Sequence, residues 1–176
     1  MTIDPRVLSA AVTLIALVLM AAEARLSWSH ERILRAQGAV EPDGDVHATM
    51  AWAYPACFLV MGIEGAIRER SFEMFLAGAV VFACGKAIKY WAIASLGRRW
   101  TFRVLVPPRA PLVTRGPYQW LRHPNYVGVV GELLGMALMM AAPVAGASAI
   151  AAFGYLLRRR IAVEERALRR ESFTRA

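Results

Sequence analysis

The residues best able to do chemistry lie in one run, Gly116-Pro117-Tyr118-Gln119-Trp120-Leu121-Arg122-His123-Pro124-Asn125-Tyr126-Val127-Gly128, and in a second group downstream, Arg160 and Glu164. Pro124 suits the first turn of a helix, where its missing N–H costs nothing. The free N–H groups of that turn, with Arg122 beside them, suit an anion such as a carboxylate. His123 can donate or accept a hydrogen bond, Tyr118 and Tyr126 offer ring faces and hydroxyls, and Gly128 leaves room for a ligand or a close helix. Arg160 and Glu164 are four apart, so they share one helix face. On residue types alone the first run also reads as an interfacial anchor, and the second as a surface ion pair.

Two carboxylates stand inside apolar runs, Glu64 and Glu132. A charge at mid-bilayer costs at least ~2.5–3.5 kcal/mol on insertion scales, so each needs a partner or a role. Glu64 stands near Arg68 and can pair with it. Glu132 lies about 9 Å along a helix from Tyr126. Either can act as a base or orient an acceptor. Lys86 and Lys89 are expected to snorkel to the membrane edge.

The elements that must position these groups are membrane helices. Of the 176 residues 57% are hydrophobic and 19% charged, against about 45–50% and about 25% in soluble domains. A bilayer core needs roughly 20 apolar residues. Val7–Ala22, Thr49–Ile67 and Phe72 to about Ile93 meet or approach that length. Val7–Ala22 also has features of a signal peptide, but further apolar runs follow, and it reads as a helix that stays. Tyr126–Leu157 would be roughly 48 Å long as one helix, so it is expected to fold back at Pro143 and Gly146. The fold class expected is all-α, an integral membrane bundle of about five transmembrane helices with a polar loop at 98–122, forming one domain over 1–176. Pro107, Pro108, Pro111 and Pro117 keep that loop irregular.

Charge supports five spans. The net charge is +8, carried by 21 Lys and Arg. Three of these fall in 25–47, six in 98–122 and seven after Leu157, all on one side. Three fall on the other side, and Lys86 and Lys89 lie within the third span. Such asymmetry places the richer side, with the C-terminus, in the cytoplasm. Arginines set between apolar runs argue against nucleic acid as the partner. Cys57 and Cys84 lie in apolar stretches, and no Cys/His spacing calls for a metal.

The pattern GPYxxxRHPxYxG, preceded by Leu112-Val113-Thr114, closely resembles the isoprenylcysteine carboxyl methyltransferases and their relatives, including phospholipid methyltransferases. A second element in the right order, Arg160-Ile161-Ala162-Val163-Glu164-Glu165, resembles their RIxxEE pattern. The resemblance covers roughly 96–168, and residues 96–170 are the expected cofactor-binding part. It implies an enzyme that uses S-adenosylmethionine, with Tyr118, His123, Pro124, Asn125, Tyr126 and Glu164 contacting it. It further implies that Ala110, Pro111, Leu112 and Val113 line the cofactor, although the family often has histidine at the place of Ala110. Arg160 resembles the arginine that meets the acceptor. The activity implied is methyl transfer to an oxygen of a lipid-like molecule, in the family's own case the carboxylate of a prenylated cysteine. The run Ala36–Glu41 and the pair Arg99-Trp100 resemble a bacterial branch acting on alkylpyrone or alkylresorcinol hydroxyls, and a phospholipid amine is a third acceptor. The resemblance and the Ala- and Arg-rich composition together lead to a bacterial inner membrane. A non-catalytic membrane scaffold is the alternative from another class, and cofactor binding discriminates between the two.

Overall fold

Three helices begin with proline in the first turn, Pro5, Pro124 and Pro143, where the ring pre-sets the helical φ and no hydrogen bond is lost. In the computed structural model, which describes residues 4–108 and 111–173 (side chains through 167), these open α1 (Pro5–Ala36), α4 (Pro124–Met139) and α5 (Pro143–Phe173). Between them stand α2 (His47–Ala66) and α3 (Phe72–Leu96). Asp4 caps α1 by accepting from the Arg6 N–H at 2.8 Å, and Ser71 caps α3 by accepting from the Met74 N–H at 3.2 Å. Among the described residues five α-helices form, matching the number of helices expected. By length and apolar composition, α1 and the stretch Phe72–Arg99 can cross a membrane.

The apolar stretch 126–157 folds back where the sequence places the break. α4 ends at Met139, the chain reverses through Met140–Ala142, and Pro143 opens α5. The first loop is shorter than expected, because α1 does not stop near Ala22 but runs to Ala36. Its second half keeps one buried face, through Glu23, Ser27 and Leu34, and meets no helix breaker before Gly38. With 32 and 31 residues, α1 and α5 are each roughly 46–48 Å long, more than a hydrocarbon core of about 30 Å. Their C-terminal ends project on the side of the 97–123 loop and carry it. There Ser27 Oγ accepts from the Phe102 N–H at 2.7 Å, and His30 Nδ1 lies 2.8 Å from the Trp100 carbonyl. The loop is irregular, as its prolines predict, apart from short turns at Gly97–Arg99 and Gly116–Gln119. It meets the first loop through paired backbone bonds between Val40 and Val106.

α3 and α4 pack through glycine. Gly78 and Gly85 face Gly128, Gly131 and Gly135, which lets the two backbones touch, the membrane mode of close helix association. A Cβ on Gly135 would lie 2.4 Å from the Phe82 nitrogen, whereas one on Gly154 would meet nothing within 4 Å. Gly135→Ala is therefore expected to cost ~1–3 kcal/mol, the usual scale of overpacking, and Gly154→Ala to cost nothing measurable. Thermal midpoints of the purified variants check this; equal midpoints would refute the close packing. Elsewhere the core is aromatic and methionine-rich: Tyr54 packs tilted against Phe153 at 4.9 Å and edge-on against Phe58 at 5.1 Å, over buried Met61, Leu133 and Met136. At the opposite end Arg70 donates to Pro5 O, Ser9 Oγ, Gly65 O and Met139 O, tying four chain segments together.

Candidate active site

The turn before α4 depends on one glycine. Gly116 has φ +62°, and a Cβ there would fall 2.0 Å from Ser95 Oγ. No other residue fits that conformation and that space. The turn buries Pro117 and swings Tyr118 toward α5. Burial pushes the Tyr118 phenol well above its ordinary pKa, and the Glu164 carboxylate pushes it further. Tyr118 therefore keeps its O–H, as a donor, throughout the neutral range.

His123 is the residue before α4, and its ring stacks on Tyr126 with centroids 5.5 Å apart and planes 21° from parallel. Its Nε2 lies 3.5 Å from Glu165 and its Nδ1 3.7 Å from Glu164. The Tyr126 hydroxyl donates to Glu164 Oε2 at 2.8 Å and accepts from Arg160 Nε at 3.3 Å. Arg160 Nη1 in turn donates to Asp45 at 2.7 Å. Asn125 Oδ1 accepts from the Trp100 indole at 3.1 Å, which orients the amide. Both sequence motifs thus close into one network across α4, α5 and two loops.

All of these groups but Asp45 and Glu165 line a cavity of about 650 Å³, within the usual range of about 300–1,000 Å³ for ligand pockets. Tyr118, Arg122, His123, Asn125, Tyr126, Arg160 and Glu164 belong to its polar part, together with Glu31, His47, Lys89, Arg99 and Arg103. Leu17 and Met20 of α1, Met50, Tyr54 and Pro55 of α2, and Phe153 and Leu157 of α5 form its apolar part. Pro111, Leu112 and Val113 line an adjoining pocket of about 350 Å³ with Arg115, and Leu96 and Arg99 belong to both. Arg99 donates to the Pro111 carbonyl and holds that segment down. Pro124 is buried behind the wall and contributes geometry rather than lining. Ala110 lies outside the described residues.

The structure does not bring Glu64 to this cavity. Its carboxylate accepts from the Ala145 N–H at 2.6 Å and the Val144 N–H at 3.4 Å, and pairs with Arg68 at 2.8 Å. It caps the start of α5, where an anion meets the positive helix end, and it is not among the residues that line the cavity. Glu132 is fully buried and reaches the cavity only through two lining neighbours, Tyr54 and Lys89. Tyr54 donates to it at 2.7 Å, and Lys86 and Lys89 lie 3.0 and 3.3 Å away. Glu132 is not among the lining residues, and its oxygens lie against these partners. The lysines do not snorkel either. They turn inward and pair also with Glu23, at 2.6 and 2.5 Å. Two carboxylates and two ammoniums make a formally neutral quartet, which pays the charge penalty internally where the bilayer edge was expected to.

Sequence reasoning missed Glu23, Tyr54 and Asp45. Glu23 carries a legible signal, a single acid three residues after Met20 on a helix that continues. Asp45 has no motif around it. Among the described residues no group of three or more metal-ligating side chains occurs.

Among the described residues the chain is an all-helical bundle with two helices long and apolar enough to cross a membrane, and with a ligand-sized cavity joining a tyrosine–histidine–carboxylate network to an apolar chamber. Residues 76–170 match the isoprenylcysteine carboxyl methyltransferase (ICMT) family, and the chain belongs to that family. Membership makes it a membrane methyltransferase. It is 31% identical over 159 residues to "Uncharacterized protein YpbQ" of Bacillus subtilis, covering 90% of this chain and 95% of the relative. It is 25% identical over 145 residues to an "Uncharacterized protein" of Haemophilus influenzae, covering 81% and 84%. No solved structure gives a significant match.

Proposed function

We propose that this protein transfers a methyl group from S-adenosylmethionine to an oxygen, a carboxylate or a hydroxyl, at the head of a lipid-like acceptor. The observation that carries this reading is the single cavity with a polar part built from both motifs and an apolar part walled by α1, α2 and α5. The residues fit the cofactor's chemistry. Glu164 and Glu165 suit an ammonium or ribose hydroxyls, the stacked His123 and Tyr126 rings suit a purine, and the volume suffices. When bound, the cofactor supplies an electrophilic sulfonium methyl whose bonding pair stays on sulfur as the new O–CH₃ bond forms. The protein's part is alignment and exclusion of water. Tyr126 and Arg160, fixed by their mutual bond, orient the acceptor oxygen. A hydroxyl acceptor releases its proton to water or to a cavity-lining histidine, His47 or His123. N-methylation of a phospholipid amine is the alternative reading.

Cofactor binding tests the reading and separates it from a non-catalytic scaffold. Calorimetry on detergent-solubilised protein is expected to show S-adenosylmethionine binding, weakened ~10-fold or more in Glu164→Ala and His123→Ala, the scale of losing a charge-assisted bond. Unchanged affinity in both variants, in folded protein, would remove it. Incubation with labelled cofactor and a lipid extract then identifies the acceptor by its labelled product.

The location proposed is a bacterial inner membrane with the site facing the cytoplasm. All five helices are taken as spans, following the distribution of Lys and Arg. A reporter fused after Ala176 is expected to read as cytoplasmic; an external reading would overturn the orientation.

A further inference from the structure

Three of the cations that line the cavity already have a built-in anion. Lys89 faces Glu23 and Glu132. Arg103 faces Glu31 at 3.3 Å and Glu41 at 2.8 Å. Arg160 faces Asp45 at 2.7 Å, and both side chains of that pair are more than nine-tenths buried. The two other lining cations belong to the 97–123 loop: Arg122 is exposed to solvent, and Arg99 is tied to the Pro111 carbonyl.

The Asp45 carboxylate is held as firmly as it holds. One oxygen accepts from the Val104 N–H at 2.9 Å, and the other from the His47 N–H at 3.1 Å and from Arg160. These donors come from the cavity-lining loop, the start of α2 and α5. Asp45 itself does not line the cavity; it stands behind Arg160. A pair so placed leaves Arg160 able to donate a hydrogen bond into the cavity but with its charge already neutralised. A carboxylate entering there would add a negative charge that the paired Arg160 no longer compensates, which is costly where the two side chains are buried. A hydroxyl adds none.

We propose that Asp45 is the specificity-determining counter-ion of the acceptor subsite: by fixing and neutralising Arg160, it makes the cavity take an acceptor whose head oxygen enters as an uncharged hydroxyl and disfavour a carboxylate. This rests on the proposed function in one respect, that the acceptor meets Arg160. Asp45 acts through Arg160 and is a positioning residue.

The test uses the full chain in phosphatidylcholine nanodiscs and two matched probes, para-dodecylphenol and para-dodecylbenzoate. Near neutral pH the first is uncharged and the second ionised, since a phenol titrates near ~10 and a carboxylic acid near ~4. Affinities are read by displacement of a fluorescent fatty-chain probe. The wild type is expected to favour the phenol. In Asp45→Asn the phenol-to-benzoate ratio is expected to fall ~10-fold or more, because Arg160 is left uncompensated, and in Asp45→Glu it is expected to keep the wild-type sign. A wild type that prefers the benzoate overturns the proposal, and so does a folded Asp45→Asn whose ratio stays within about twofold, too little for a buried charge. Should the asparagine variant fail to fold, the wild-type ratio decides alone. Calorimetry with S-adenosylmethionine on the same samples keeps the two claims apart. Intact cofactor binding with no phenol preference sinks only the role of Asp45. Absent cofactor binding sinks the proposed function, while the phenol-to-benzoate ratio still judges the counter-ion.

Discussion

Glu132→Ala is expected to destabilise the folded bundle by ~3–5 kcal/mol, the cost of breaking a buried ion pair from one side. The change leaves Lys86 and Lys89, which are 7% and 2% exposed, with Glu23 as their only remaining acidic partner. It also strips the Tyr54 hydroxyl of its acceptor and opens a void between α3 and α4 where the backbones already touch. Most of the loss should come from the uncompensated ammonium and not from the void. Glu132→Gln combined with Lys86→Met restores neutrality at nearly constant volume, and is expected to recover more than half of it. Thermal unfolding of the purified single and paired variants measures both. If Glu132→Ala unfolds at the wild-type midpoint, or if the paired variant is worse than the single one, the quartet does not stabilise the fold in this way.

How much of this could be read from the sequence follows from range. The part of the site that was legible is local: Gly116 to Tyr126 is one turn and one helix start, and the proline at the first helical position follows from neighbours in the chain, whereas the positive φ at Gly116 and the stacking of His123 on Tyr126 emerge only in the structure. Arg160 and Glu164 were legible as one face because four residues separate them, and α5 carries that face to Tyr126. The helices were legible where apolar composition runs unbroken. α1 was cut short because its pattern changes at Glu23 from apolar on all sides to apolar on one. Charges inside apolar runs announced that partners must exist but not which ones. Glu64 finds the free N–H groups of α5, some 80 residues on, and the two lysines find acids on α1 and α4. Asp45 was the least legible. It sits in a Pro-, Asp- and Gly-rich loop where an acid is unremarkable, and its partner Arg160 lies 115 residues away.

Arg160→Ala is expected to lower turnover per folded molecule by ~10²-fold or more, the scale of misplacing a reacting group by about 1 Å. Arg160 touches both the motif tyrosine and the first loop, through Tyr126 and Asp45. Without it Tyr126 keeps only its bond to Glu164, Asp45 becomes an unpaired buried carboxylate, and the acceptor oxygen loses its donor. Glu132→Gln provides the contrast. If Glu132 took the acceptor's proton, its loss would cost roughly 10²–10⁴-fold, and the deficit would shrink as pH rises toward the acceptor's own pKa. Its oxygens, however, are engaged by Tyr54, Lys86 and Lys89 and do not face the cavity. Turnover in Glu132→Gln, corrected for the folded fraction, is therefore expected to stay within ~10-fold of wild type, below that range for a general base, at every pH. Rate against pH for the wild type and both variants, with S-adenosylmethionine saturating, separates the two roles. A pH-dependent collapse in Glu132→Gln beside a nearly active Arg160→Ala would reverse the assignment, making the quartet the proton acceptor and Arg160 a structural tie between α5 and the first loop.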